Sequence, residues 1–164
     1  MPESDQHAPR QRPHLVRRVV RRLYRLPMRN RALLFEAVMW LALARLSLVF
    51  VPFRVLAARF GAVTQPATDT SVAPLLPMAQ QQDVQLIGWA VTRAARYVPF
   101  RAVCLPQAIA AKAMLSRRGI ASVMHFGVAK MAAELKAHAW LDAGRIEVTG
   151  YPVEAGYVEV ARFV

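Results

Sequence analysis

Apolar and polar positions recur at helical spacing through much of the first 97 residues. Residues 15–26 place apolar pairs between arginine pairs, which predicts an amphipathic helix with one apolar and one cationic face. The apolar stretch 32–60 predicts one or two helices, broken or kinked near Pro52. A Pro- and Thr-rich loop is expected over 63–77, followed by another helix over 83–97. The apolar side of that helix consists of Val84, Ile87, Val91, Ala94 and Ala95.

The pattern changes after Pro99. A helix is predicted from Cys104 to Arg118, with Gly119 as its C-terminal cap. Strands are then predicted over 120–129, 137–142, 145–149 and, at an edge, 158–164. Helices followed by one more helix and an antiparallel sheet define an α+β fold.

The connections in this sheet are predicted from turn signals. Residues 131–136 are expected to form a connecting loop, and Ala143-Gly144 the two-residue turn of a hairpin. Such a turn sets the register of the hairpin, which pairs Asp142 with Arg145, Trp140 with Glu147 and His138 with Thr149.

Composition adds a strong positive charge. The chain has 22 Lys and Arg against 10 Asp and Glu, a net charge of +12, much of it within 10–31. This balance favours an anionic partner such as a nucleic acid, a membrane surface or an acidic peptide. A disordered arm is expected over 1–14, a basic amphipathic helix over 15–30, and one domain over 31–164, helical in 31–97 and mixed in 99–164.

The apolar stretch 32–60 also bears on location. Charged residues interrupt it, and its charge-free pieces 37–44 and 46–53 are shorter than the roughly 20 residues that a spanning helix needs. Core helices are therefore predicted, with peripheral membrane contact as the alternative. No secretory signal is visible, which favours a cytoplasmic protein.

One cysteine and one histidine carry the candidate chemistry. Cys104 lies at a helix N-terminus, where the helix dipole favours a thiolate, and His138 follows on a predicted strand. This arrangement can form a Cys-His nucleophile. Taken alone, each residue is more often structural. A single cysteine excludes an internal disulfide and a zinc site with several Cys ligands, and no metal or cofactor is expected.

Several motifs together resemble a known family. The segments 100–108, 114–121, 126–128 and 137–141, which include Cys104-Leu-Pro-Gln and Ala-His138-Ala-Trp, resemble the stand-alone leader peptidases of the lasso peptide biosynthesis protein B family. The resemblance implies a papain/transglutaminase-like domain and a cysteine peptidase, with Cys104 as nucleophile and His138 as base. It also implies three partners: a separate leader-binding protein, the precursor peptide and an ATP-dependent cyclase.

The sequence departs from this family at one position. An aspartate usually follows the histidine by about twelve residues, but Gly150 stands there without a gap, and Thr149 when the hairpin glycines are aligned. Strand pairing also favours Thr149, so its hydroxyl or a backbone carbonyl is expected to orient His138, with Glu147 as second choice. The oxyanion donors are predicted to be the Cys104 backbone N–H and Gln107.

Two other functions stay open. The first is an arginine-rich module that binds a membrane or nucleic acid without catalysis, although nucleic acid is not the expected partner. The second is an amidase or acyltransferase that uses the same acyl-enzyme.

Overall fold

A computed structural model describes residues 25–52, 55, 63–64, 75–131 and 134–164. The predicted arm 1–14 and most of the predicted basic helix lie outside these residues. So does most of the segment between Pro52 and Leu75, which includes Gly61 and the greater part of the predicted Pro- and Thr-rich loop.

Three long helices form one layer of the fold. They are α1 (Met28–Phe50), α2 (Met78–Ala95) and α3 (Cys104–Ser116). Met28, Arg29 and Asn30, assigned above to the basic helix, belong to α1 instead, and α2 begins five residues before the predicted start. The break near Pro52 is confirmed, because Val51 takes the extended conformation that a residue before proline favours.

The helices pack through their apolar faces. The predicted face of α2 is buried except for its last member. Helix α3 ends at Ser116, two residues before the predicted end, and Gly119, with a φ of 66°, lies in the turn that follows. Beyond the end of α3, Arg118 donates to both carboxylate oxygens of Glu36 on α1, at 2.7 and 3.2 Å. This ion pair fixes α1 against α3 and lowers the pKa of Glu36. The largest fully buried side chains of the core are Leu41, Ile87, Met114, Leu115, Met124, Leu141, Val84 and Val91.

An antiparallel sheet forms the other layer, in the strand order β1-β5-β2-β3-β4. Its strands are β1 (Val63–Thr64), β2 (Val123–Met131), β3 (Glu134–Ala143), β4 (Ile146–Thr149) and β5 (Val158–Phe163). Two predictions were wrong here. Met131 and residues 134–136 are strand and not loop, since β2 extends to Met131 and β3 begins at Glu134. Strand β5 is not an edge strand, because it lies between β1 and β2. The helix layer and this sheet confirm the α+β class.

The predicted register of the last hairpin was also wrong. Ala143 pairs with Ile146, so the two-residue turn is Gly144-Arg145, where Gly144 has a φ of 58°. A bulge between Leu141 and Asp142 then shifts the register again. Leu141 therefore lies opposite Thr149, and Asp142 lies opposite Glu147.

A glycine sets the distance between the two layers. A Cβ on Gly88 of α2 would lie 2.7 Å from the carbonyl oxygen of Val148 on β4, closer than side chains approach. Only glycine lets α2 pack this closely on β4. The close contact brings α2 beside the residues that follow Val148, which form one wall of the site described next.

Candidate active site

Cys104 is the first residue of α3 and is half-buried. Val103 before it is extended, and none of the described side chains caps this helix end. The first N–H groups of a helix have no partner within the helix, so they are available at the cysteine. The sequence prediction that the thiol lies at a helix N-terminus is confirmed.

His138 lies near the middle of β3 and is also half-buried. It faces the same cleft as Cys104, as the sequence predicted. The cleft has a volume of about 330 Å³. It is lined by residues of α2, α3, β3 and β4 and of the segment after β4: Thr92, Cys104, Gln107, His138, Val148, Thr149, Gly150, Tyr151 and Pro152.

A backbone carbonyl orients the histidine. Nε2 of His138 lies 2.7 Å from the carbonyl oxygen of Gly150. A carbonyl oxygen can only accept a hydrogen bond, so Nε2 carries the proton in the neutral ring. The lone pair is then on Nδ1, which makes Nδ1 the basic atom of the imidazole.

This contact decides among the candidates for the third member of the site. Thr149 lines the cleft and is 3% exposed, but its hydroxyl has no partner among the described residues, His138 included. Glu147 is exposed and lies outside the cleft lining, opposite Asp142. The group that meets the imidazole is the Gly150 carbonyl, at the ungapped twelve-residue position.

Gln107 lies one turn into α3 and lines the cleft. Its Nε2 donates a hydrogen bond of 2.7 Å to the carbonyl oxygen of Ala102, just before the helix. Because a side-chain amide has two N–H bonds, one hydrogen remains for a group bound in the cleft.

Trp140 lies between two histidine rings. It stacks on His138, with ring centroids 6.0 Å apart, and on His125, with centroids 5.4 Å apart and planes within 3° of parallel. Trp140 therefore packs against the ring of His138. Tyr157, which was not predicted from the sequence, approaches His138 as well, with the ring centroids 5.3 Å apart.

His125 lies outside the cleft lining, and two carboxylates hold it. Its Nδ1 lies 2.8 Å from Glu159 and its Nε2 lies 3.2 Å from Asp142. Burial lowers the pKa of His125, but the two carboxylates outweigh that effect and raise it above the ordinary value. Asp142 also accepts a hydrogen bond from the Tyr151 hydroxyl, and burial together with this carboxylate raises the pKa of Tyr151. Through Tyr151, the network fixes the segment that carries Gly150.

We expect His125 to make stability depend on pH. Its folded-state pKa lies above the ordinary value of 6.5, so its charged form stabilises the fold fully below about pH 6.5. That contribution is lost as pH rises through the raised folded-state pKa. Urea unfolding at pH 6 and pH 9 should therefore show a smaller free-energy difference between wild type and His125→Gln at the higher pH. An unchanged difference would contradict the ion pairs described here.

The protein is an α+β domain with a thiol at a helix start and an imidazole on the adjacent antiparallel sheet. The family comparison agrees with this class. Residues 47–162, more than half of the chain, match the transglutaminase-like superfamily, and the protein belongs to that superfamily. Its members are typically enzymes. Searches among curated proteins and among solved structures found no significant match.

Proposed function

We propose that this protein is a cysteine peptidase that removes the leader from a ribosomally made lasso-peptide precursor. The observation that carries the proposal is the shared cleft of Cys104 and His138, in which the Gly150 carbonyl leaves Nδ1 of the histidine as the base. The motifs around both residues, which resemble the lasso protein B family, support the choice of substrate.

The first half of the reaction forms an acyl-enzyme. Nδ1 of His138 accepts the proton of the Cys104 thiol while Sγ attacks the carbonyl carbon of the scissile peptide bond. The backbone N–H of Cys104 and the remaining amide hydrogen of Gln107 stabilise the oxyanion. The protonated imidazole then gives its proton to the departing amine, the C–N bond breaks and a thioester remains on Cys104.

The second half releases the leader. A water molecule attacks the thioester while Nδ1 takes one of its protons, and the C–S bond breaks. The proton returns to the sulfur, so the net change is one peptide bond and one water converted to a carboxylic acid and an amine. No metal or cofactor takes part in these steps.

Three partners follow from the proposed substrate. A separate leader-binding protein presents the precursor, the precursor occupies the cleft, and an ATP-dependent cyclase closes the ring of the released core. We place these reactions in the cytoplasm, where the precursor is synthesised.

The proposal is tested by mass spectrometry of a lasso-peptide precursor, which we expect to be encoded near this protein, incubated with the protein and the leader-binding protein. Peptidase activity gives two fragments whose masses sum to that of the precursor plus one water. An intact precursor after incubation with all three components would contradict the proposal.

The alternative reaction on the same fold is acyl transfer, which the superfamily also includes. It would give ammonia or an isopeptide product in place of the two fragments. The same mass spectra therefore distinguish the two functions. An isopeptide bond formed within the precursor releases ammonia, so it gives one product that is lighter than the precursor by the mass of ammonia.

A further inference from the structure

Helix α1 is apolar on the side that faces solvent as well as on the side that faces the core. Its exposed large apolar residues recur at intervals of three, four and seven, so they share one face. We call this face the α1 apolar stripe; its members are Phe35, Val38, Met39, Leu43, Leu46, Val49 and Phe50, which are 41–77% exposed. A helix that is apolar all round is expected where both sides are covered.

The charges near the stripe have one sign. The single acidic residue of α1, Glu36, is bound by Arg118 on the side that packs against α3. Arg45, in the second half of the helix, is exposed, and so is Arg25 just before the helix. The sequence before the described residues contains the arginine pairs 17–18 and 21–22, whose positions relative to α1 lie outside the described structure. An apolar surface bordered by cations complements a partner that has an apolar interior beneath an anionic outer layer.

We propose that the α1 apolar stripe is a docking surface for an anionic lipid bilayer. By length and composition α1 could cross a membrane, since an 18-residue window of it has a mean hydropathy of 1.9, but part of that window is buried in the protein. Because its other side packs against α2 and α3, the helix lies along the membrane surface instead of crossing it. The stripe enters the acyl boundary and the arginines meet lipid phosphates. This binding is independent of the peptidase chemistry.

Vesicle co-sedimentation of the full chain tests this proposal. We expect the protein to bind vesicles of phosphatidylglycerol and phosphatidylcholine, and to bind vesicles of phosphatidylcholine alone at least about tenfold more weakly. The double variant Leu46→Ser, Phe50→Ser should lower binding to the mixed vesicles by at least about tenfold, since it removes two large apolar side chains from the membrane contact. Arg45→Gln should also weaken vesicle binding, and this loss should be larger at low salt than at high salt because salt screens the attraction between charges.

Matched controls come from the sheet. Leu135→Ser with Val158→Ser removes two apolar side chains that are 74% and 66% exposed, and Lys130→Gln removes an exposed cation of β2. Both should leave vesicle binding unchanged. Equal losses from the sheet variants would overturn the proposal, because adhesion would then follow overall hydrophobicity or charge.

Two further outcomes would also overturn it. In the first, the protein does not bind vesicles but forms a concentration-dependent dimer in analytical ultracentrifugation, and the stripe variants abolish this dimer. The stripe is then an interface between two copies of the chain. In the second, vesicle binding survives the stripe variants and depends only on the arginines before α1. Measurements on the Cys104→Ala variant keep this test separate from peptidase activity.

Discussion

Cys104→Ala should abolish cleavage of the precursor, lowering the rate by a factor of at least about 10³, as loss of a nucleophile typically does. The fold should survive, because the Cys104 side chain is small, half-buried and at the N-terminal end of α3. The measurement is single-turnover cleavage followed by mass spectrometry, with thermal unfolding as the check on folding.

Ser116→Ala is the matched control for that substitution. It removes a small polar side chain from the opposite end of the same helix, where the residue is exposed. We expect full activity. Cleavage that persists in Cys104→Ala would show that the thiol is not the nucleophile and would contradict the proposed mechanism. Alkylation of the wild type with iodoacetamide should inactivate it in step with one label per chain, since the chain has a single cysteine.

Gly150→Ala should damage both the fold and the site. Gly150 has a φ of 86°, where a side chain is strained, and an added Cβ would lie 2.5 Å from the Ala139 carbonyl oxygen. The segment must move to relieve this contact, and the carbonyl that orients His138 moves with it. We expect a loss of about 2–4 kcal/mol in the free energy of unfolding and at least about a tenfold loss in cleavage rate.

Gly119→Ala separates backbone strain from collision. Its φ is 66°, but an added Cβ would meet nothing within 4 Å. We expect a loss of about 1 kcal/mol from strain alone and no change in cleavage rate per folded molecule. Urea unfolding and cleavage assays of both variants, compared at the same folded concentration, give these two quantities. Equal effects of the two substitutions on cleavage would contradict the role of the Gly150 carbonyl.

The sequence was sufficient for the parts of the fold that local chemistry decides. Periodicity located the apolar face of α2, Pro52 marked the end of α1, and Gly119 marked the turn that follows α3. It also placed Cys104 at a helix start and His138 on a strand, which is enough to predict a shared cleft once the sheet packs on α3.

The orientation of the His138 ring could not be predicted, because it depends on the register of the hairpin β3–β4. To predict this register, both the position of the turn at Gly144-Arg145 and that of the bulge after Leu141 must be known. Each of these positions depends on the packing of the whole sheet. Their combined shift moved Thr149 away from the position opposite His138. The carbonyl of Gly150 leaves no side-chain signal, although a glycine before Tyr-Pro after a strand is typical of a turn that exposes backbone groups.

His125 shows the same limit in another form. A histidine beside Phe126 in a strand indicates only a half-buried ring. The two carboxylates that hold it come from β3 and β5, so their convergence depends on the strand order. Pairing of β2 between these two strands brings the three groups together.

Because Cys104 is only half-buried, its sulfur is accessible to oxidants. Peroxide that reaches the sulfur would convert it to a sulfenic acid, and the chain has no second thiol to trap that state as an internal disulfide. Recovery then depends on glutathione or another external thiol, and without one the sulfur advances to an irreversible sulfinic acid. Oxidative stress should therefore remove the reactive thiol of each oxidised molecule while the fold stays intact.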